Sequence, residues 1–270
     1  MTSAFAEVIG DPIAQSKSPL IHGFWLRKVG LAEEYRATRV TRAELPDFLK
    51  QRRADPDWRG CNVTMPLKLD AVVQADESTD RAVAAGAANI LVPRDGKLLA
   101  GNTDVGAVFK LLGPLLGKSA AGSVTLLGNG GAARAVLVAL RMLDVRDVRI
   151  QSRDLSAAFK LAVEFGLDHE PRPFTQAIDS EGLVNATPMG MAGVPSVAID
   201  IGAMPGGGWL FDMVTEPAET PLLRAARDRG LQAFDGLAML VEQAADSFAL
   251  LFGKDAPRQY DGELMTRLRP

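Results

Sequence analysis

Two groups of residues in this 270-residue chain have types and spacings suited to chemistry. The first is the turn Gly128-Asn129-Gly130-Gly131-Ala132-Ala133, directly after the apolar run Ser123–Leu127. Gly128 permits a tight exit from a strand, and Gly130 lets backbone come close to a pyrophosphate. The helix expected behind it offers free N–H groups and a favourable dipole. Ala133 stands where a dinucleotide fingerprint often has its third glycine, and it is small enough for close helix–strand packing. Alone, such a turn could be a plain tight turn. A strand before it, a helix after it and a second strand about 20 residues on favour a dinucleotide site. The tip of that second strand reads Ser152-Arg153-Asp154. Arg153 is a planar cation suited to a 2′-phosphate, so NADP is expected over NAD; Asp154 would repel that phosphate if it pointed inward.

The second group is a set of polar clusters that packing does not explain: Ser16-Lys17-Ser18, the segment Asn62 to Lys68, Asn89, Asn102-Thr103-Asp104, Asn185-Ala186-Thr187-Pro188, and Asp235-Gly236 followed by Gln243. Each has a plainer reading. Ser18 could be a helix N-cap, Lys68 a surface lysine, Asp104 the N-cap of a helix running to about Leu116, and Asn185 a partner for a strand-end carbonyl. Cys61 reads as a small buried apolar residue. His22 and His169 have no triad or metal context and read as structural or surface residues.

Elements to hold these groups can be read off the pattern. Phe5–Ile9, Tyr35–Val40 and Cys61–Thr64 are strand candidates. A helix follows Ser18-Pro19 and ends at Gly30, a second opens on the capping box Thr41 to Glu44 and runs to about Arg53, and a third spans about Leu67 to Gln74. Asn89–Val92 and Lys97–Ala100 flank a hairpin turn, Pro93 to Gly96. Further on, strands at Val148–Ser152, Leu183–Ala186, Trp209–Met213 and Gln232–Phe234 alternate with helices that include Leu155–Phe165. This alternation predicts an α/β protein with a parallel, doubly wound sheet. The last helix, Leu237–Phe252, is expected to return to the first domain. Two lobes with a cleft follow: 1–104 with 238–270 for substrate, and 105–237 as a Rossmann-like dinucleotide domain.

Composition narrows the function further. A length near twice about 150 residues suggests two domains, and 47% apolar with 23% charged residues excludes whole-chain disorder. The net charge of −3 gives no electrostatic case for nucleic acid or an acidic membrane. One cysteine excludes an intramolecular disulfide, and with two histidines makes a zinc site improbable, so no metal is expected. No leader or bilayer span is legible; the longest uncharged run, Gly182–Ile199, is broken by prolines and glycines and reads as strand plus loop. A cytoplasmic monomer or homodimer with a small-molecule substrate is the expectation.

Taken together, the segments resemble the shikimate dehydrogenase family. Gly10-Asp11-Pro12-Ile13-Ala14-Gln15-Ser16-Lys17-Ser18-Pro19 is similar to its N-terminal signature, Asn62-Val63-Thr64-Met65-Pro66-Leu67-Lys68 to its N-V-T-x-P-x-K motif, and Asn102-Thr103-Asp104 to its N-T-D motif. Asn185 to Gly190 and Asp235 to Ala244 also match, in order and spacing. The resemblance implies reversible NADPH-dependent reduction of 3-dehydroshikimate to shikimate, on the route to aromatic amino acids. It implies Ser16 and Ser18 on the substrate carboxylate, and Thr64, Lys68, Asn89, Asp104, Thr215 and Gln243 around the ring, with Lys68 and Asp104 catalytic. For NADP it implies Asp80, Gly128, Asn129, Gly130, Gly131, Ala132, Ser152, Arg153, Met213 and Gly236. The chemistry suits those types: a lysine ammonium stabilises an oxyanion formed at a ketone and delivers the proton. Burial lowers such a lysine's pKa while a neighbouring Asp104 opposes the change.

Four positions depart from the family pattern. Thr215 replaces a tyrosine that touches substrate, Asn129 replaces a common alanine, Ala157 replaces a second arginine for the 2′-phosphate, and Val105 replaces a common glycine. An NAD-using quinate or shikimate dehydrogenase is the nearest rival, against which Ser18 argues, since threonine there accompanies quinate use. A sensor without catalysis is the other, disfavoured by the retained Lys68 and Asp104.

Overall fold

The computed structural model describes residues 3–116, 122–195 and 198–269. The chain divides into two compact units, Met1–Gly106 with Leu240–Pro270, and Ala107–Met239.

The first unit begins β1 (Phe5–Gly10), α1 (Ser18–Val29), β2 (Glu34–Arg39), α2 (Leu45–Arg53), β3 (Trp58–Val63), α3 (Lys68–Gln74), β4 (Glu77–Ser78), α4 (Asp80–Ala85), β5 (Ile90–Arg94), β6 (Lys97–Gly101) and the first turn of α5 (Thr103–Leu116), whose remainder belongs to the second unit. Its sheet runs β2-β1-β3-β5-β6-β4. β1 is buried along its whole length, as expected of a central strand between parallel neighbours β2 and β3. Its one charge, Glu7, meets Arg52 at 2.7 Å.

The pairing register decides where the polar clusters end up. β3 is parallel to β1, and β5 is antiparallel to β3 with Asn62 opposite Ile90. β6 turns back against β5, Gly101 opposite Ile90. The loops leaving β1, β3 and β6, and the residue entering β5, therefore share one sheet edge. That edge receives Ser16 and Ser18, Thr64 and Lys68, Asp104, and Asn89. Gly10 is needed there, because a Cβ would collide with Thr64 Cγ2 and lie 2.7 Å from the Met65 carbonyl.

Local signals fared unevenly. Gly30 ends α1 in the left-handed conformation, φ 68°, and Asp95 and Gly96, φ 52° and 78°, make the hairpin turn between β5 and β6. Ser18 does not cap α1: it is the helix's first residue, and its N–H donates to Ser16 Oγ at 3.3 Å. The capping box forms only half. Thr41 N–H and Oγ–H both donate to the Glu44 carboxylate at 2.8 and 2.7 Å, and the helix starts at Leu45. β4 and α4 were not read from sequence, since two and six residues carry too little periodicity to register.

The second unit continues β7 (Val124–Leu127), α6 (Gly131–Met142), β8 (Val148–Gln151), α7 (Leu155–Phe165), β9 (Gly182–Asn185), β10 (Trp209–Asp212), α8 (Pro221–Asp228) and β11 (Gln232–Phe234); α9 (Gly236–Phe252) and α10 (Asp261–Leu268) complete the chain. The sheet is wholly parallel, ordered β11-β10-β9-β7-β8. Beyond β8, Arg172 pairs with Gln151 in a single parallel bridge, where a further strand would lie in a Rossmann sheet. Arg172 N–H donates to the Ile150 carbonyl and its carbonyl accepts from Ser152 N–H, both at 2.9 Å, and the flanking Pro171 and Pro173 have no N–H to present on the outer side. Counting that bridge, the spatial order is third-second-first-fourth-fifth-sixth, the dinucleotide-binding arrangement. Leu127, Gln151 and Asn185 sit side by side, as do Asn185 and Asp212, so every strand delivers its following turn to the carboxyl edge. Of the run Gly182–Ile199, Gly182–Asn185 is strand and residues 196 and 197 lie outside the described residues. Among the described residues no helix is long and apolar enough to cross a membrane.

Candidate active site

Lys68 opens α3 and Asp104 lies in the first turn of α5, and Lys68 Nζ meets Asp104 Oδ2 at 2.6 Å. The two side chains are 16% and 6% exposed, so the pair is largely shielded yet reachable. Neither plain reading survives: Lys68 is not a solvated surface lysine, and Asp104 does not cap α5. Asn102 takes that task, its Oδ1 accepting from Val105 N–H at 3.2 Å.

Asn89 ties the pair to its surroundings. Its Oδ1 accepts from Thr103 N–H at 2.7 Å, which fixes the amide orientation. Its Nδ2 donates to Thr103 Oγ1 at 2.8 Å and Asp104 Oδ1 at 3.0 Å, with Gln243 Oε1 at 3.4 Å. One carboxylate oxygen thus faces an amide and the other an ammonium. Lys68, Asn89, Asp104 and Gln243 form one contact group. Thr64, just after β3, keeps a hydroxyl with no partner among the described residues, and Ser16 stands in the neighbouring loop with Ser18 at the start of α1. Asp80 is different: it is exposed at the start of α4, makes no hydrogen bond among the described residues, and touches none of these groups.

In the second unit the glycine turn is built by backbone. Gly128 has φ +105°, and a Cβ there would lie 2.9 Å from Thr187 Cγ2 and 3.3 Å from the Ala186 carbonyl. The exits of β7 and β9 therefore touch. Gly130 is the N-cap of α6 with no side-chain cap, and a Cβ on it would meet nothing within 4 Å. An uncapped helix N-terminus with open space beside it suits a pyrophosphate. At the tip of β8, Ser152 is buried, its Oγ accepting from Asp154 N–H at 3.2 Å. Asp154 turns its carboxylate to cap α7, accepting from Ala157 N–H at 3.0 Å. Arg153 is exposed, without a hydrogen bond or ion pair among the described residues. Asn129 Nδ2 donates to the Asp154 carbonyl at 3.4 Å. Gly236 packs where a Cβ would lie 2.5 Å from the Met213 carbonyl, which joins those two positions.

A family profile described as the shikimate dehydrogenase substrate-binding domain matches residues 8–91, and one described as the shikimate 5′-dehydrogenase C-terminal domain matches 236–261. The chain is 44% identical over 268 residues to the NADP(+) shikimate dehydrogenase of Sphingopyxis alaskensis, spanning 98% of this chain and 97% of that one. The chain belongs to the shikimate dehydrogenase family. Its fold matches a solved family structure, the Thermus thermophilus shikimate 5-dehydrogenase in complex with NADP(H) and shikimate. There the TM-score is 0.85 at 34% identity, covering 98% and 99% of the two chains. A shikimate 5-dehydrogenase from Listeria monocytogenes, in complex with shikimate and NAD, aligns with TM-score 0.81 at 27% identity over 97% and 96%.

Of the departures from the shikimate dehydrogenase pattern, Thr215 is half-buried with no side-chain hydrogen bond among the described residues, and Ala157 is exposed in the first turn of α7. Several polar residues with definite work carry no expectation from the sequence. Asp212 is fully buried at the end of β10 and accepts from Asn185 Nδ2 at 2.9 Å, Thr220 Oγ–H at 2.6 Å and Val214 N–H at 3.1 Å. Burial pushes its carboxyl above the ordinary range, and the charge of Asp235 acts in the same direction. Asn185 also takes Thr187 N–H and Oγ–H on its Oδ1, at 3.1 and 2.6 Å. The knot holds Thr187 against Gly128, so Asn185 organises a turn and does more than satisfy a carbonyl. An aspartate ending an otherwise apolar strand, with no helix to cap, is the signal for such a knot.

Proposed function

We propose that this chain catalyses the reversible NADPH-dependent reduction of 3-dehydroshikimate to shikimate. The observation that carries the reading is the Lys68–Asp104 contact at 2.6 Å, with Asn89 oriented onto the same carboxylate. Near full-length identity of 44% to a relative named for this activity supports it. We assign substrate to the first unit and cofactor to the second.

Lys68 stabilises the negative charge that develops on the ketone oxygen and returns a proton to it. Asp104 holds the ammonium in place and accepts a hydrogen bond from a substrate hydroxyl. Asn89 and Gln243 offer amides, and Thr64 its free hydroxyl, to the ring. Ser16 and Ser18 hold the carboxylate. NADPH, when bound, supplies the hydride. The residues present fit it: backbone N–H groups at Gly130 to Ala132 for the pyrophosphate, and the exposed Arg153 with Ser152 for the 2′-phosphate. Gly128 and Asn129 shape that turn, and Met213 and Gly236 line the neighbouring strand exits; Asp80 has the least support. Thr215 carries a short hydroxyl where the family pattern has a tyrosine that touches substrate. We place the protein in the cytoplasm as a monomer or homodimer.

Turnover of shikimate with NADP+, followed by nicotinamide absorbance, tests the reading. Strong turnover with NADP+ and weak turnover with NAD+ or quinate is expected. No turnover with any pairing would overturn it.

A further inference from the structure

Behind the Lys68–Asp104 pair lies a chain of buried polar side chains that the reaction as described does not use. Tyr35 O–H donates to Asn62 Oδ1 at 2.8 Å. Asn62 Nδ2 donates to Ser247 Oγ at 2.8 Å. Ser247 Oγ and Thr103 Oγ1 are 3.1 Å apart, and Thr103 Oγ1 accepts from Asn89, which also holds Asp104. At the far end stands Tyr35, and the Ser18 side chain opposes the rise that burial gives its phenol. The chain thus runs from Tyr35 to the pair assigned to the chemistry. It crosses β2, β3, α9, α5 and the entry to β5. Ser247 is wholly buried, and Tyr35 is sealed by His22, stacked on its ring at 4.1 Å.

Donor and acceptor chemistry gives the chain a single polarity. Tyr35 gives its only proton to Asn62 Oδ1, so the Asn62 amide must turn Nδ2 toward Ser247. Asn89 Oδ1 is occupied by Thr103 N–H, so its Nδ2 must face Thr103 Oγ1 and Asp104. Thr103 then accepts from Asn89 and has its own proton left for Ser247. Ser247 therefore accepts from both arms, and reversing either amide would set buried donors against donors. Burial also pushes the Tyr35 phenol well up, which keeps its proton in place.

We propose that Tyr35 and Ser247 are positioning residues that, as one unit, hold the Asp104–Lys68 pair in the orientation the reaction needs. This rests on the function proposed above. The two residues touch neither reacting atom; they act through Asn62, Thr103 and Asn89.

A double-mutant cycle on the full chain tests it. Tyr35→Phe keeps the ring and its stack on His22 while deleting the phenol oxygen; Ser247→Ala deletes the shared acceptor. Each single variant should lower kcat/KM for shikimate about tenfold, with the KM for NADP+ within about twofold of wild type. The double variant should fall little further than the worse single one. Independent losses multiplying to about a hundredfold, or single variants as active as wild type, would overturn the proposal. A merely structural role would lower the melting temperature and leave the two losses multiplicative. Should Ser247→Ala melt far below wild type, the cycle of Tyr35→Phe with Thr103→Val reads the same coupling. A wild type inactive on shikimate would remove the functional reading and this proposal together, whereas an active wild type with uncoupled variants removes the proposal alone.

Discussion

The two candidate sites are built from different materials. In the first unit, side chains make the site: Lys68, Asp104, Asn89 and Gln243 hold one another at 2.6 to 3.4 Å. In the second, backbone makes it: Gly128 and Gly130 leave room, α6 leaves its first N–H groups uncapped, and Arg153 stands unpaired among the described residues. A small polyhydroxylated ring offers few handles and needs fixed partners in fixed directions. A pyrophosphate carries charge on several oxygens and can be held by any amides that converge on it. The first site is therefore sensitive to which atoms are present, the second to how much space is left.

Removing Lys68 should break the first site most completely. Lys68→Ala is expected to lower kcat about 10³-fold, near 4 kcal/mol, with a much smaller change in KM; a near-normal kcat in steady-state assays would remove Lys68 from the chemistry. Acid should distinguish the units next. His22 is fully buried and burial holds its pKa down to about 3 from 6.5. Its folded pKa lies below the unfolded one, so the unfolded chain binds the extra proton, and stability falls as pH drops from 6.5 toward 3. By pH 5 the loss is about 2 kcal/mol. Asp212 works the other way: its raised folded pKa means the native state binds the proton more tightly, so its contribution grows as pH falls. His22→Phe should abolish the acid-induced loss in denaturant titrations at pH 7 and pH 5, and an unchanged loss would refute the assignment.

Smaller effects sharpen the space-against-atoms contrast. Gly130→Ala should leave the melting temperature unchanged, because its Cβ meets nothing within 4 Å. The same change should weaken NADP+ binding about tenfold, because that methyl fills the approach to the helix N-terminus. Calorimetric titration showing wild-type affinity would mean the open space is not the pyrophosphate site. Arg153→Ala should weaken NADPH a few-fold to about tenfold and spare NADH, since it is a single exposed cation without a second arginine at Ala157. Equal losses for both cofactors would count against the phosphate role.

Sequence pattern reached the backbone-made site more fully than the side-chain-made one. A glycine turn after an apolar strand is local, and α7 and β11 match the ranges read from pattern, Leu155–Phe165 and Gln232–Phe234. The contact of Lys68 with Asp104 spans 36 residues of chain, and only resemblance to a known family pointed to it. Register explains why: strand pairing carries both to one sheet edge, and pairing partners are not written locally. Tyr35 and Ser247 were missed for the same reason, and Asn62 stood out only as part of a polar segment, without its partners. Each looks like an ordinary polar interruption of an apolar element until its distant partners are known. Helix caps failed more simply. Ser18 and Asp104 have the composition of N-caps, but Ser16 and Asn102 accept the N–H groups concerned.

The lone bridge at Arg172 has a consequence for how the protein behaves in a crowded solution. An open parallel sheet exposes a row of amides along its outermost strand, and such a row recruits strands from other molecules. Here the prolines on either side of Arg172 have no hydrogens to offer, and the arginine between them carries a charge at the rim. At the opposite rim β11 is only three residues long. Both margins are thus poor templates for fibril growth, and replacing Pro171 and Pro173 with valine is a direct route to a chain that aggregates.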